Sequence, residues 1–282
     1  MAEGLSASVI SLILALRKPS TNAKYNAVFA EWQGWCSHKG AQAGTDELAA
    51  ALNFSFKFES GCSTNTVQQY GSALASVVPS LSSDKSYLLL QGACLARPVV
   101  PKYSAFWDVD LLLNHSASVG VQTAPLRLLS IKLATLLTLV MVARVSELTL
   151  LHICPLWMVS EPSGLSFTLK DRTKTQVAQQ GTVVRLVRDQ AEPTLCGVSC
   201  VERYLEVTTP LRRETSNLLL RSCAPHSPAS VDTVRNWVKA ALATAGIDTS
   251  IFKPHSMRGT VSSRVSSHGF SLEAVLYNGK WS

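Results

Sequence analysis

Apolar side chains return every three or four positions in several separate stretches of this chain, the spacing that lines one face of a helix. Leu5, Val9, Leu12, Ile13 and Leu16 make the first stretch, which Arg17-Lys18-Pro19-Ser20 closes. Ser20 or Thr21 can cap a second helix that carries Tyr25, Val28, Phe29, Trp32 and Trp35 to Lys39-Gly40. A third helix is expected around Asp46 to Phe58. A fourth begins after Ser63 or Thr64 and runs through Val67, Tyr70, Leu74 and Val77 to a stop at Pro79. The two tryptophans read as core, and nothing here has catalytic spacing. Residues 1–96 are therefore expected to form a small helical domain.

Arg97-Pro98-Val99-Val100-Pro101 favours extended backbone, and residues 97–104 read as a linker into a second domain, 105–282. Asp108 can cap a helix through Leu111 to Leu113. From Pro125 to Leu151 apolar residues occupy nearly every face, which predicts one helix in the middle of a core. Near its end, Ala143-Arg144-Val145-Ser146-Glu147-Leu148 holds a charge that needs a partner, and Glu147 is available at i, i+3 as a structural one. Leu165 to Lys170 and Thr182 to Val187 alternate as strands do, predicting a β-hairpin whose polar tip, Asp171 to Gln180, carries Arg172 and Lys174. Helices are expected at Cys200 to Val207 and Ser230 to Ala245, the second stopped by Gly246. Pro254 suits a first helical turn, which would put His255 and Arg258 on one face at a positive helix terminus, a place for a phosphate or another oxyanion. Ser271 can cap Leu272 to Tyr277, and Asn278-Gly279 ends that helix before Lys280-Trp281-Ser282.

Composition narrows the classes. Hydrophobic residues make up 46% and charged ones 16% of the 282, as in a folded, well-buried chain. A net charge of +7 fits a polyanion partner. Seven cysteines, an odd and scattered set, read as reduced thiols; Cys196, Cys200 and His226 lack the second close pair a zinc site needs. Leu133 to Ala143 lies between Lys132 and Arg144 and is too short to span a bilayer. Residues 5–16 follow Glu3 and lack a cleavage site, so no signal peptide is expected and the compartment is intracellular. The acidic residues are dispersed, whereas a metal-dependent nuclease needs a carboxylate cluster. No metal, cofactor, membrane or small-molecule substrate is expected.

In chain order the notable polar residues are Arg144 in Ala-Arg-Val-Ser-Glu-Leu, Lys174 after a strand, His255 and Arg258 as H-x-x-R, and Trp281 after Gly279-Lys280. This order and spacing resembles the tyrosine recombinases of phage-integrase type, and most closely those of DIRS-like and Crypton-like eukaryotic mobile elements, retrotransposons among them. The resemblance covers nearly the whole chain, since Arg17-Lys18-Pro19-Ser20-Thr21 followed by Tyr25, Trp32 and Trp35-Cys36 is similar to the family's opening. It implies a mainly α fold with a small β-hairpin or sheet. An N-terminal SAM-like helical DNA-clamping (core-binding) domain would precede an integrase-type catalytic domain. The implied reaction cleaves and rejoins DNA strands without metal, through a 3′-phosphotyrosyl intermediate.

The resemblance also implies roles. Arg144 and Arg258 would stabilise charge on the non-bridging phosphate oxygens, Lys174 would protonate the departing 5′ oxygen, His255 would act as acid or base, and Trp281 would hold the phosphate through its indole N–H. Lys170 and Arg172 stand close enough to leave the choice of Lys174 open. The family's nucleophilic tyrosine lies two to three helical turns past the position of Trp281, beyond Ser282, and Tyr277 precedes Trp281. The chain as given is therefore expected to lack strand-transfer activity. It reads either as part of a mobile-element recombinase, working in the nucleus on double-stranded DNA as a homotetramer, or as a non-catalytic DNA-binding remnant or repurposed copy. A third reading is a helical interaction module in which Arg144, His255 and Arg258 share no site.

Overall fold

The computed structural model describes residues 19–41, 53, 56–76, 84–98, 103, 105–170 and 182–267. The helix expected at Leu5 to Leu16, most of that at Asp46 to Phe58, the stop at Pro79, the hairpin tip and the elements after Ser267 lie outside them. The chain divides into two compact units, Met1–Lys102 and Tyr103–Ser282.

In the first unit, α1 (Pro19–Lys39) packs on α2 (Thr64–Leu74), and α2 on α3 (Asp84–Ala96). Gly40 ends α1 in the left-handed region at φ 67°, a conformation that glycine adopts without steric cost. Ser63 caps α2, its Oγ accepting the Thr66 N–H at 3.2 Å. Trp32, Cys36, Tyr70 and Leu74 form the small core between them. Sequence periodicity left α3 unassigned. Just past it, the Arg97 guanidinium donates to the carbonyls of Phe58 (2.7 Å) and Cys62 (3.3 Å) and lies 4.0 Å from the Phe58 ring centroid.

The second unit is built around α5 (Leu126–Val140), against which α7 (Gly197–Thr208), α8 (Val231–Thr244) and α9 (Ser256–Ser267) all pack, with α4 (Val109–Ser118) against α5, α8 and α9. Neighbours on so many sides explain why α5 has no polar face. Its buried hydroxyls satisfy themselves: Ser130, Thr135 and Thr138 donate to carbonyls one turn back at 2.7, 2.8 and 2.7 Å. Lys132 is buried too, donates to the Val119 carbonyl at 2.6 Å, and has its pKa lowered by that burial. No helix among the described residues is long and apolar enough to cross a membrane.

The expected helix from Pro125 to Leu151 is two. After Val140 the Ala143 N–H reaches the Thr138 carbonyl (3.2 Å) and the Val142 N–H the Leu139 carbonyl (3.3 Å), the paired closing bonds of a Schellman motif. Val142 holds the left-handed position at φ 45°. The same motif ends α8, where Gly246 stands at φ 84°. A β-branched residue is strained in that conformation, at a cost of about 1–3 kcal/mol. The chain then turns into the four-residue α6 (Val145–Leu148).

Three antiparallel strands follow, β1 (Met158–Glu161), β2 (Gly164–Thr168) and β3 (Val183–Val187), in that spatial order. Phe167 pairs with Met158 and Val184, and Leu165 with Leu186, so the inner face is apolar. A Cβ on Gly164 would stand 2.0 Å from the Leu186 carbonyl oxygen, so only glycine lets β3 approach. The hairpin of β2 and β3 matches the expected alternation; β1, mostly exposed, shows none and was missed.

Tyr204 of α7 ties this core to the segment before α8. Its hydroxyl donates to the Leu220 carbonyl (3.2 Å) and accepts the Leu220 N–H (3.0 Å), all buried. Tyr204→Phe leaves both backbone groups unsatisfied and is expected to lower unfolding free energy by about 1–3 kcal/mol. Urea titration measures it; an unchanged midpoint would show that the bond contributes nothing.

Candidate active site

Arg144 sits at the N-cap of α6, placed there by the turn at Val142. Its guanidinium donates to Glu147 Oε1 at 2.9 Å and its backbone N–H to Glu147 Oε2 at 3.2 Å, so one carboxylate pins both ends of the residue. The Glu147 side chain is 4% exposed and that of Arg144 22%. The structural i, i+3 pair anticipated from the sequence therefore forms. It does not exhaust what Glu147 does.

Arg258, in the first turn of α9, is buried beside fully buried Met257, which anchors the helix start in the core. Burial lowers the Arg258 pKa from its ordinary value; the like charge of Arg144 lowers it further and the Glu147 carboxylate opposes both. Arg258 thus senses Arg144 and Glu147 together. Arg144 is bonded to Glu147, and Arg258, from a separate element, responds to the charges of both, so two positive charges stand against one negative. That arrangement suits a dianionic or monoanionic oxyanion.

Pro254 and His255 stand in the turn that leads into α9, where the Ser256 N–H bonds the Lys253 carbonyl at 2.8 Å and the Met257 N–H that of Pro254 at 3.3 Å. His255 is exposed and Arg258 buried, both at this helix terminus. Lys170, exposed, ends the segment after β2, and its N–H lies 3.5 Å from the Leu150 carbonyl, close in the chain to α6. Lys174, Arg172 and Trp281 lie outside the described residues. Cys196 is buried and caps α7, its Sγ accepting the N–H groups of Asp189 and Ser199, each at 3.4 Å, whereas His226 is half-buried and bonds the Arg221 carbonyl. Among the described residues no three His, Cys, Asp or Glu side chains gather as a metal site would require.

No protein-family model and no curated protein matches the sequence. Solved structures do. One is the XerH site-specific recombinase bound to difH substrate in a pre-cleavage complex, at 14% identity, covering 92% of this chain and 72% of that one, with a TM-score of 0.58. The Tn1549 transposon integrase in complex with transposon right end DNA aligns at 14% identity over 84% of this chain and 78% of its own, TM-score 0.57. A lambda integrase dimer bound to a COC′ core site aligns at 14% identity over 96% and 92%, TM-score 0.52. The likeness is one of fold. The chain has the mainly helical, integrase-type fold of the tyrosine recombinases, with its small antiparallel sheet.

Removing the counter-charge tests this balance. Glu147→Ala should destabilise the protein by about 3–5 kcal/mol, because it leaves Arg144 without its carboxylate and takes away the charge that favours the buried Arg258 cation. An Arg258→Met change in the same background should recover part of that loss. If Glu147→Ala costs under about 1 kcal/mol by urea unfolding, the carboxylate is not holding the two arginines.

Proposed function

We propose that this chain is a DNA strand-transfer protein of the tyrosine-recombinase kind, in which Arg144 and Arg258 together hold one backbone phosphate. The observation that carries the reading is a buried Arg258 that responds to the charges of the Arg144–Glu147 pair, in a fold shared with recombinases solved on DNA. Net charge +7 suits the same partner.

In the proposed reaction a tyrosine oxygen attacks phosphorus in line and a 3′-phosphotyrosyl bond forms as the bond to the 5′ oxygen breaks. The two guanidinium groups hold the non-bridging oxygens as charge builds on them, a role that needs permanently charged, fixed donors. The 5′ oxygen leaves with a proton from Lys174, with Lys170 the alternative. His255, exposed at the start of α9, exchanges a proton with the attacking or leaving oxygen, and the Trp281 indole N–H adds a donor to the phosphate. Attack by a 5′ hydroxyl on the phosphotyrosine reverses the sequence and rejoins a strand, so bond energy is conserved and no metal takes part. The first domain, residues 1–96 joined through 97–104, and the catalytic domain, 105–282, both bind the duplex. Protomers assemble as a tetramer on two duplexes, in the nucleus, on behalf of a mobile element.

Plasmid relaxation tests this without knowledge of the target sequence. Protein expressed from the transcript's full open reading frame should relax supercoiled DNA in excess EDTA and leave an SDS-stable protein–DNA adduct. Arg144→Ala and Arg258→Ala should each slow relaxation by about 10²–10³-fold. Salt-sensitive DNA binding with neither relaxation nor adduct would reduce the protein to a DNA-binding one. No salt-sensitive binding at all would reject both readings.

A further inference from the structure

The segment that opens the second unit runs alongside the approach to α9 and then along α9 itself. The Tyr103 ring stacks on Phe252, centroids 5.7 Å apart. Phe106, 60% exposed, lies so close to Gly259 that an added Cβ would meet its Cε1 at 3.4 Å. The buried Trp107 Nε1–H donates to the buried Ser256 Oγ at 3.0 Å. Asp110 receives both Arg264 N–H groups, at 2.8 and 2.7 Å, in a bidentate pair. Residues 103, 106, 107 and 110 thus meet 252, 259, 256 and 264.

On α9 the contacted positions Ser256, Gly259 and Arg264 recur at about i, i+3 and i+8, which is one side of a helix. Arg258 is two residues on from Ser256, about 200° around the axis, and so faces away from the strap. A helix gripped along one side presents the opposite side at a fixed depth and rotation. Ser256 is also the residue directly between His255 and Met257-Arg258, so the indole bond acts where the helix starts. Its two partners are far apart in sequence, and the local pattern of neither hints at the other.

We propose that Trp107 and Asp110 are positioning residues for the phosphate site: the strap they form sets where Arg258 and His255 stand. The inference rests on the reading that Arg258 contacts phosphate. Neither residue touches the substrate. Each acts through α9, whose displacement by about 1 Å is enough to cost on the order of 10²-fold in rate.

The test is a double-variant cycle with two readouts, the relaxation rate of supercoiled plasmid under saturating protein and the affinity for inorganic phosphate followed at the arginine Nε–H resonances. Trp107→Phe keeps an aromatic ring, smaller than the indole, and deletes the donor; Ser256→Ala deletes the acceptor; Ser256→Thr keeps it. Trp107→Phe and Ser256→Ala should each slow relaxation about tenfold or more and weaken phosphate binding at Arg258. Plasmid affinity should stay within about twofold, since the remaining phosphate contacts are untouched. The double variant should be no worse than either single, and Ser256→Thr should stay near wild type. Asp110→Asn, at a half-buried position, should give a smaller loss of the same kind without altering the fold.

Wild-type rate and phosphate affinity in Trp107→Phe would overturn the strap, as would losses that add in the double variant. Phosphate binding that falls in Trp107→Phe, in a protein that never relaxes plasmid, would support the strap while sinking the strand-transfer reading. Wild-type relaxation with an unaffected Trp107→Phe would do the reverse.

Discussion

A guanidinium largely withdrawn from water needs a counter-charge, and Glu147 supplies it to Arg144. Everything the site does depends on that carboxylate. It binds the Arg144 backbone and side chain at once, which fixes the start of α6, and its charge offsets part of what burial does to Arg258. With one negative charge against two positive ones, Arg144, Glu147 and Arg258 together carry a net positive charge that suits an anion. The balance is built from a short turn and a helix terminus, neither of which could hold it alone.

The backbone contributes as much as the charges. Had α5 continued through residue 144, Arg144 would lie on a buried helix with its N–H committed to the preceding turn. The left-handed Val142 ends the helix first and frees that N–H for Glu147. Strain at this residue sits two residues away from Arg144 and is sustained by the Schellman closure and by burial of Met141, Val142 and Ala143 in the core. On the other side α9 is held by the core through Met257 and along its flank by the segment from Tyr103 to Asp110.

Much of this was legible in the residues. Ser63, Asp108 and Ser230 cap the helices that their positions announce, and the hairpin of β2 and β3 follows from alternation. Gly246 stops α8 as glycine should. The identical motif at Val142 went unread because valine is the residue least suited to it, and because α5 and α6 share an apolar run that has no polar face to mark a break. β1 is largely exposed and alternates in nothing. Of the site, Arg144, Glu147 and Arg258 were each singled out, but that Arg258 responds to the charges of the other two is a matter of tertiary structure. The bond from Trp107 to Ser256 carries no local signal at all.

A crystal structure grown with tungstate, the ion located by its anomalous scattering, tests the central claim most directly. The account predicts one tungstate within about 3 Å of guanidinium nitrogens from both Arg144 and Arg258. Tungstate bound elsewhere, with the two guanidinium groups too far apart to share an ion, would contradict it.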